Sequence, residues 1–251
     1  MTTYYEQEKP VYKAPEPDYE YQEYEPIEEY KPVEYWTPAY ENIEYKYAGK
    51  EYEAKQYLTE ETKEVYEATE ATDYVVGNQY DTEIATYDQN DIIEAGYGND
   101  KIDAGAGDDW IWGISKAHKA DDPKYAQEDY AEVDWYTGGA GKDIYALGTE
   151  NYAHYATNGT KDYAIITDYT TADDTVMLHG TTENYVVGES VTKTEGEDIK
   201  ESAATIYYDK DENGSYSAGD DMVAVFEGYS VEEITAAKDN WIYVQPDTPV
   251  V

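Results

Sequence analysis

The amino-acid sequence predicts an all-β protein. From about Asp73 to Ala146, glycine, aspartate and asparagine alternate with single isoleucine or tryptophan residues, a pattern typical of short strands repeated between tight turns. Further along, four apolar runs separated by Asp- and Gly-rich turns predict more strands: 163–166, 175–178, 205–208 and 222–226. No long helical period occurs, and we predict one short helix, from Ser230 to Ala237, with Ser230 as its N-cap.

The negative net charge of the chain indicates that compact packing needs bound cations. The sequence has 57 Asp plus Glu against 17 Lys plus Arg, a formal net charge of -40, and every basic residue is lysine. Two carboxylates about 4 Å apart repel each other by roughly 4 kcal/mol at an effective dielectric constant near 20. The acidic charge and the lack of arginine argue against a nucleic-acid partner, and no apolar run is long enough for membrane insertion. Because cysteine is absent, thiolate metal sites are excluded, and calcium bound by oxygen atoms fits better.

Residues 1–70 are predicted to form an extended arm rich in tyrosine, proline and glutamate. Six of the nine prolines precede Ala39, and a Tyr-x-Pro-apolar-Glu unit recurs at 24–28 and 30–34. This composition cannot build a core of its own and favours extended or polyproline conformation. Two interpretations stay open, a disordered leader and an arm that docks on a neighbouring copy of the chain.

A nine-residue unit is repeated in the centre of the chain. Two copies abut at 95–103 and 104–112, and a third occupies 138–146. Each has glycines in its first half, Asp at the sixth position and an apolar residue at the eighth, and degenerate copies keep Asp91 with Ile93 and Asp134 with Tyr136. Glycine permits the left-handed backbone of a tight turn, and carbonyl and carboxylate oxygens can then face a cation. The eighth side chain would fill the interior.

This unit resembles the RTX, or haemolysin-type, nonapeptide G-G-x-G-x-D-x-U-x, where U is a large apolar residue. The wider region 91–244 looks like the C-terminal domain of cyanobacterial RTX proteins. The resemblance implies a parallel β-roll in which two nonapeptides make one coil and Ca²⁺ lies between turns one coil apart. Alternate repeats then stack, which puts Asp91, Asp109 and Asp143 on one side and Asp100 and Asp134 on the other. Thr82 stands where a further Asp is expected.

The predicted calcium ligands of the roll are Asp91, Asn99, Asp100, Asp108, Asp109, Asp134 and Asp143. The resemblance adds Asp168 and Asp174, where a β-sheet would cap the roll, although plain turn carboxylates are the alternative. Residues 113 to about 128 interrupt the repeats and are predicted to form an inserted surface loop. Because Asp143 follows this loop, we expect its loss to be less damaging than the loss of Asp109.

A second type of calcium site is predicted at 209–220, which is similar to an EF-hand loop. Oxygen donors stand at loop positions 1, 3, 5, 7 and 12, and Gly214 stands at position 6. These donors are Asp209, Asp211, Asn213, Ser215 and Asp220. The flanking segments look like strands rather than helices, and position 12 is Asp instead of Glu. An acidic hairpin without metal is the alternative.

No catalytic centre is expected. The three histidines are scattered, and neither a zinc-binding H-E-x-x-H helix nor a G-x-S-x-G elbow occurs. We expect a secreted, calcium-binding structural protein with an arm (1–70), a roll (71–148) and a β-rich cap (149–251). The arm would join copies of the chain into an extracellular filament, sheath or surface layer. Export would use an uncleaved C-terminal signal of the type I kind. The alternative is an adhesin or glycan-binding module that recognises surface glycans through Trp110, Trp112 and Trp135.

Overall fold

The computed structural model describes residues 55–58, 65–114, 131–149, 152–156, 159–189 and 203–245. Most of the predicted arm, the inserted loop from 115 to 130 and the last six residues of the predicted cap lie outside the described residues. Within the described ranges, the regular structure is fifteen strands, one α-helix and two 3-10 helices. The prediction of an all-β fold is confirmed.

The strands are short, as strands between tight turns must be. In chain order they are β1 (Lys55–Tyr57), β2 (Val65–Glu67), β3 (Tyr74–Asn78), β4 (Glu83–Ala85), β5 (Ile92–Gly96), β6 (Lys101–Asp103), β7 (Trp110–Ile114), β8 (Val133–Thr137), β9 (Ile144–Ala146), β10 (Tyr163–Ile166), β11 (Thr175–His179), β12 (Tyr185–Glu189), β13 (Ala203–Tyr208), β14 (Asp221–Glu227) and β15 (Ile242–Val244). The 3-10 helices are Thr182–Asn184 and Lys238–Asn240.

The strands alternate between two sheets, so that the chain coils as a β-roll. One sheet has the order β1-β3-β5-β7-β9-β11-β15, and the other has the order β2-β4-β6-β8-β10-β14-β13-β12. All pairs in the first sheet are parallel, and so are the pairs from β2 to β14 in the second. Only β12, β13 and β14 pair in antiparallel fashion among the described strands. The expectation that alternate repeats stack is therefore met.

The interruption between the repeats does not disturb this stacking. Strand β5 pairs with β7 through Ile93 and Ile111, and β7 pairs with β9 through Ile111 and Tyr145. The loop lies between β7 and β8, and β8 pairs with β6 in the other sheet. The first two residues of the predicted loop, Gly113 and Ile114, belong to strand β7.

The core lies between the two sheets. The apolar side chains at the eighth position of the repeats all point into it and are at most 2% exposed: Ile93, Ile102, Ile111, Tyr136 and Tyr145. Fully burying one such side chain contributes about 1.5–3 kcal/mol. The spacing of nine residues thus places one large apolar side chain in the core for every strand.

The roll is longer than the repeats indicate. Strands β1 and β2 extend the two sheets upstream of residue 71, and Leu58 belongs to the core. Downstream, β10, β11, β14 and β15 continue the same sheets into the predicted cap. The sequence did not reveal these coils because glycine-rich turns do not precede their strands.

Helix α1 (Val231–Ala237) begins as predicted. The hydroxyl of Ser230 accepts the backbone N–H of Glu233 at 3.3 Å, and the Glu233 carboxylate accepts the N–H of Ser230 at 2.9 Å. This reciprocal pair satisfies two backbone donors at the start of the helix. None of the described helices is long and apolar enough to cross a membrane.

Candidate calcium sites

The turns of the roll stack so closely that glycine is required at particular positions. Gly105 has φ 93° and Gly139 has φ 92°. A Cβ on Gly105 would lie 1.8 Å from the carbonyl oxygen of Tyr87, and a Cβ on Gly139 would lie 1.8 Å from that of Gly105. In the degenerate copy, Tyr87 and Gln89 occupy the same left-handed region, with φ 69° and 77°. The degenerate repeat therefore has the same left-handed turn geometry as the other copies, although it has no glycine at these two positions.

The aspartates on one side of the roll form a continuous ladder, which we call the first column: Asp73, Asp91, Asp109, Asp143 and Asp174. Each backbone N–H donates to the Oδ1 atom of the next member. The four distances, from Asp73 to Asp174, are 2.7, 2.7, 2.9 and 3.0 Å. Because the donor lies one coil away, each member after Asp73 holds two turns together through its Oδ1 atom.

Threonine hydroxyls close both ends of the first column. The N–H and hydroxyl of Thr69 donate to Oδ2 of Asp73 at 2.9 and 2.8 Å. Thr170 donates in the same two ways to Oδ2 of Asp174, at 2.7 and 3.1 Å. Both carboxylate oxygens of Asp174 and the Oδ2 atom of Asp73 are thus satisfied by protein donors.

The three inner aspartates differ from the terminal ones. The Oδ2 atoms of Asp91, Asp109 and Asp143 accept no hydrogen bond from the described part of the chain. Each of these side chains is at most 1% exposed. Burial raises the pKa of Asp91 and Asp143 to about 7 and that of Asp109 to about 8. A buried, unpaired carboxylate oxygen is costly, and a divalent cation at these oxygens would remove that cost. The donor set is oxygen only, as calcium prefers.

Asn99 and Asp108, the fifth residues of their repeats, lie at the exposed rim of the turns. Oδ1 of Asp108 accepts the N–H of Lys142 at 3.0 Å, and Oδ1 of Asn99 accepts the N–H of Val133 at 2.8 Å. In both bonds the later residue of the sequence donates to the earlier one, whereas in the first column the earlier residue donates to the later one. The Asp108 bond joins the turns of Asp109 and Asp143, and the Asn99 bond joins the turns of Asp100 and Asp134. Their role as calcium ligands stays a prediction.

On the other side of the roll, Asp100 and Asp134 stack as expected; we call this pair the second column. The N–H of Thr82 donates to Oδ1 of Asp100, and the N–H of Asp100 donates to Oδ1 of Asp134, both at 2.8 Å. Within the described ranges, Oδ2 of Asp100 accepts no hydrogen bond. Burial and the neighbouring Asp134 raise the pKa of Asp100 to about 10. Oδ2 of Asp134, in contrast, accepts hydrogen bonds from the hydroxyls of Tyr155 and Tyr136.

Asp168 lies beside the last glycine turn of the first column. It accepts the N–H groups of Gly138 and Gly139 at 3.0 and 2.7 Å and the hydroxyl of Tyr145 at 3.0 Å. Asp174 is the terminal member of the same column. Both residues thus lie at the end of the first column, and their role as calcium ligands stays a prediction.

The loop from 209 to 220 connects β13 to β14, so its flanks are strands as predicted. Carboxylate oxygens of Asp209, Asp211 and Asp220 lie within 4.8 Å of one another. Oδ2 of Asp209 accepts the N–H of Gly214 at 2.7 Å, and Oδ2 of Asp220 accepts the N–H of Ser217 at 2.6 Å. The loop therefore brings three of its predicted ligands together.

The other two predicted ligands of the loop, Asn213 and Ser215, contact each other. Oδ1 of Asn213 accepts the backbone N–H of Ser215 at 2.7 Å, and both residues are exposed. No described contact joins Ser215 to the three aspartates, so its place as a ligand depends on the likeness to an EF-hand loop.

The tryptophans proposed for glycan recognition are half-buried. Trp110 and Trp112 stack on each other with ring centroids 4.5 Å apart, and both pack against the cluster that contains Ile144 and Met177. The Lys101 ammonium lies 5.8 Å from the ring centre of Trp135. Their role in glycan recognition stays a prediction.

Comparison with known proteins agrees with the geometry of the turns. Residues 86–113 match the family model of the RTX calcium-binding nonapeptide repeat (4 copies). The chain carries RTX repeats. The match begins at the degenerate repeat with Tyr87 and Gln89, whose backbone has the turn geometry of the glycine-containing copies. The RTX copy at 138–146 lies outside the match but stacks on the same column. No curated protein matches the chain, and the finer likeness to cyanobacterial RTX proteins stays a prediction.

Sequence reasoning missed several residues around the RTX repeats. Asp73 continues the first column, but no glycine precedes it, so the motif does not reveal it. Glu132 and Asp162 are buried beside the second column, where the N–H of Glu132 donates to Oδ1 of Asp162 at 3.3 Å. Tyr155 reaches Asp134 from 21 residues away, a contact that no local pattern encodes.

Proposed function

We propose that this protein is a secreted, calcium-binding structural protein whose roll is stiffened by calcium along the first column. One observation carries the proposal. Three buried carboxylate oxygens, on Asp91, Asp109 and Asp143, recur once per coil without a donor in the described part of the chain. Calcium held by these carboxylates and by turn carbonyls would neutralise the charge and link successive coils.

The expected stabilisation is large compared with the stability of a domain. Calcium at ten times its Kd contributes about 1.4 kcal/mol per site, and extracellular calcium modules have dissociation constants of about 0.1–1 mM. Several sites along the column would together approach the 5–15 kcal/mol typical of a whole domain. Extracellular calcium would therefore favour folding of the roll outside the cell. RTX repeat proteins are typically secreted.

The proposed assembly depends on the N-terminal segment. Residues 1–54 are rich in tyrosine and glutamate, and tyrosine supplies contact area at low cost in side-chain entropy. Two copies with a net charge of -40 each repel, so calcium or lysine side chains must lie between them. We propose that the arm docks on a neighbouring copy and builds a filament, sheath or surface layer without enzymatic activity.

Substitution of the inner aspartates tests the calcium role. In the full chain, Asp91→Asn, Asp109→Asn and Asp143→Asn together should abolish the calcium-induced rise in Tm and reduce bound calcium in titration calorimetry. The matched control substitutes three exposed carboxylates, Asp103→Asn, Asp173→Asn and Asp239→Asn, which changes the net charge equally. If both triple variants respond to calcium like the parent, the proposed sites are wrong.

Truncation tests the assembly role. The deletion should end at residue 54, because β1 begins at Lys55 and Leu58 lies in the core. We expect the full chain to form ordered polymers in calcium by electron microscopy, while the shortened chain sediments as a monomer with unchanged circular dichroism. Polymers of the shortened chain would rule out the arm as the connecting element.

A further inference from the structure

We propose that Asp134 is not a calcium ligand but the acceptor of a tyrosine clasp, formed by Tyr136 and Tyr155, that closes the second column without metal. The clasp ties the segment 152–156, which lies between β9 and β10, to strand β8. This inference rests on the proposed calcium function, because it assigns one of the stacked RTX aspartates to a different task. It departs from the pattern in which the sixth-position aspartate of each repeat serves calcium.

The oxygens of Asp134 are already occupied. Its Oδ1 atom accepts the N–H of Asp100 at 2.8 Å. Its Oδ2 atom accepts the hydroxyl of Tyr155 and, at 3.4 Å, that of Tyr136. The corresponding Oδ2 atoms of the inner first-column aspartates accept nothing from the described residues. Asp134 therefore differs from Asp100 and from the inner first-column aspartates at the very atom that would bind calcium.

The phenol groups form a connected and fully buried unit. The hydroxyl oxygens of Tyr136 and Tyr155 are 2.5 Å apart, and neither side chain has any exposed surface. Tyr155 donates its proton to Asp134, and Tyr136 donates to Tyr155 or to Asp134. Two hydroxyl protons thus serve one carboxylate: burial raises the pKa of Asp134 to about 7, and the hydrogen bonds from both hydroxyls act against that rise.

The neighbouring strand makes room for this unit. A Cβ on Gly113 would lie 1.6 Å from the hydroxyl oxygen of Tyr136, 2.1 Å from that of Tyr155 and 2.6 Å from Oδ2 of Asp134. Gly113 belongs to β7 in the opposite sheet, and φ at this residue does not require glycine. The glycine at 113 is therefore explained by the space that the two hydroxyls and the carboxylate occupy.

The turns of the second column also differ from those of the first. Gly96 and Gly98 precede Asp100 with positive φ, as in the first column. At the fourth position of the adjoining turns, however, Tyr80 and Glu132 stand where the first column has Gly107 and Gly141. In the first column, a Cβ on Gly141 would lie 1.7 Å from the Gly107 carbonyl oxygen. The clasp thus lies beside a turn of the second column that has no glycine at its fourth position.

Tyrosine-to-phenylalanine variants of the full chain test the clasp. Tyr155→Phe removes one donor to the Asp134 carboxylate and keeps the ring. We expect Tm to fall by about 4–10 °C, and by a similar amount in saturating calcium and in calcium-free buffer. The control is Tyr163→Phe, because the buried Tyr163 hydroxyl has no hydrogen-bond partner in the described part of the chain. This control should leave Tm within about 2 °C of the parent.

Calcium stoichiometry separates the clasp from a calcium site. Asp134→Asn and Tyr155→Phe should bind as many calcium ions as the parent in titration calorimetry, whereas Asp109→Asn should bind fewer. Loss of bound calcium in Asp134→Asn, a gain in Tyr155→Phe, or an unchanged Tm of Tyr155→Phe in calcium-free buffer would each overturn the clasp. If Asp134→Asn fails to fold, Tyr155→Phe decides alone. A parent chain that binds no calcium would refute the proposed function, and the calcium-free Tm would still test the clasp.

Discussion

The backbone N–H of Asp109 donates to Oδ1 of Asp143 at 2.9 Å, across 34 residues of sequence. The equivalent bond from Asp91 to Asp109 spans 18 residues and measures 2.7 Å. The extra residues between β7 and β8 account for the longer sequence separation, yet the two bonds are equivalent in space because β7 pairs directly with β5 on one side and with β9 on the other. The first column is therefore continuous through the insertion.

Loss of Asp109 and loss of Asp143 should have comparable effects. Each change to Ala removes one unpaired Oδ2 atom and leaves the N–H of the preceding aspartate without its acceptor, which costs about 1–3 kcal/mol apart from the calcium term. The sequence favours a larger effect at Asp109, because the insertion interrupts the count before Asp143. Titration calorimetry and denaturant unfolding in calcium would measure the two losses. A variant Asp143→Ala that kept full calcium binding would contradict the continuous column.

The close stacking of the turns should make Gly105 far less tolerant of substitution than a solvent-facing glycine. Gly105→Ala places a Cβ 1.8 Å from a backbone oxygen, whereas Gly228→Ala meets nothing within 4 Å, and φ is similar at the two residues, 93° and 83°. Gly228→Ala should cost about 1–2 kcal/mol from left-handed strain alone. Gly105→Ala should cost clearly more, because the turns must move apart. Urea unfolding in saturating calcium measures both changes, and equal losses would argue against the stacked turns.

The calcium-free protein should lose stability as the pH rises from about 4 to about 8. Burial raises the folded-state pKa of Asp91, Asp109 and Asp143 from 3.8 to about 7, 8 and 7. The folded state therefore holds protons that the unfolded state releases, and this stabilisation is complete below pH 3.8 and lost as the pH passes 7 to 8. Saturating calcium should reverse the trend, because calcium and protons compete for the same oxygens.

Melting temperatures in calcium-free buffer from pH 4 to pH 9 would measure this pH dependence. The triple variant with Asn at 91, 109 and 143 carries neutral amides at these positions and should show a flatter profile than the parent. A parent profile that rises across this range would contradict the assignment of buried, proton-holding carboxylates.

The loop from 209 to 220 should bind calcium independently of the first column. Asp211→Asn should remove one bound ion in calorimetry and lower Tm little in calcium-free buffer, because Asp211 is exposed and its backbone contact, from the N–H of Asn213 at 3.3 Å, is weak. Glu212→Gln is the matched control, since Glu212 is equally exposed and stands at a loop position without a ligand role. If both variants bind the same number of ions, the loop is an acidic hairpin without metal.

Much of the roll could be predicted because its repeats are local. The turn is determined by glycines at a fixed spacing before Asp100 and Asp109. Because alternate repeats stack, counting repeats also predicts which aspartate lies one coil away. The strand at 163–166 was also predictable, because an apolar run between polar turns indicates a buried strand. In these segments the local sequence and the tertiary contacts agree.

The remaining features depend on contacts between distant residues. Nothing around Asp73 indicates a turn of the repeat, so its place in the first column follows only from the position of Asp91. The contact between Tyr136 and Tyr155 joins residues 19 apart across the interior. Strand β1 has no turn motif either, and it is identified by its pairing with β3. Such pairings depend on packing between distant residues, and no local sequence pattern predicts them.

The matching threonine and aspartate pairs at the two ends of the first column have an evolutionary consequence. Thr69 with Asp73 and Thr170 with Asp174 close the column, whereas each inner aspartate has a further aspartate of the column on either side. Duplication of an inner segment of 18 residues, such as 86–103, would leave both closures intact. Each duplication would lengthen the molecule by about 4.8 Å, the distance between neighbouring strands. Descendants of this gene could thus vary in length by whole coils while they keep the same two ends.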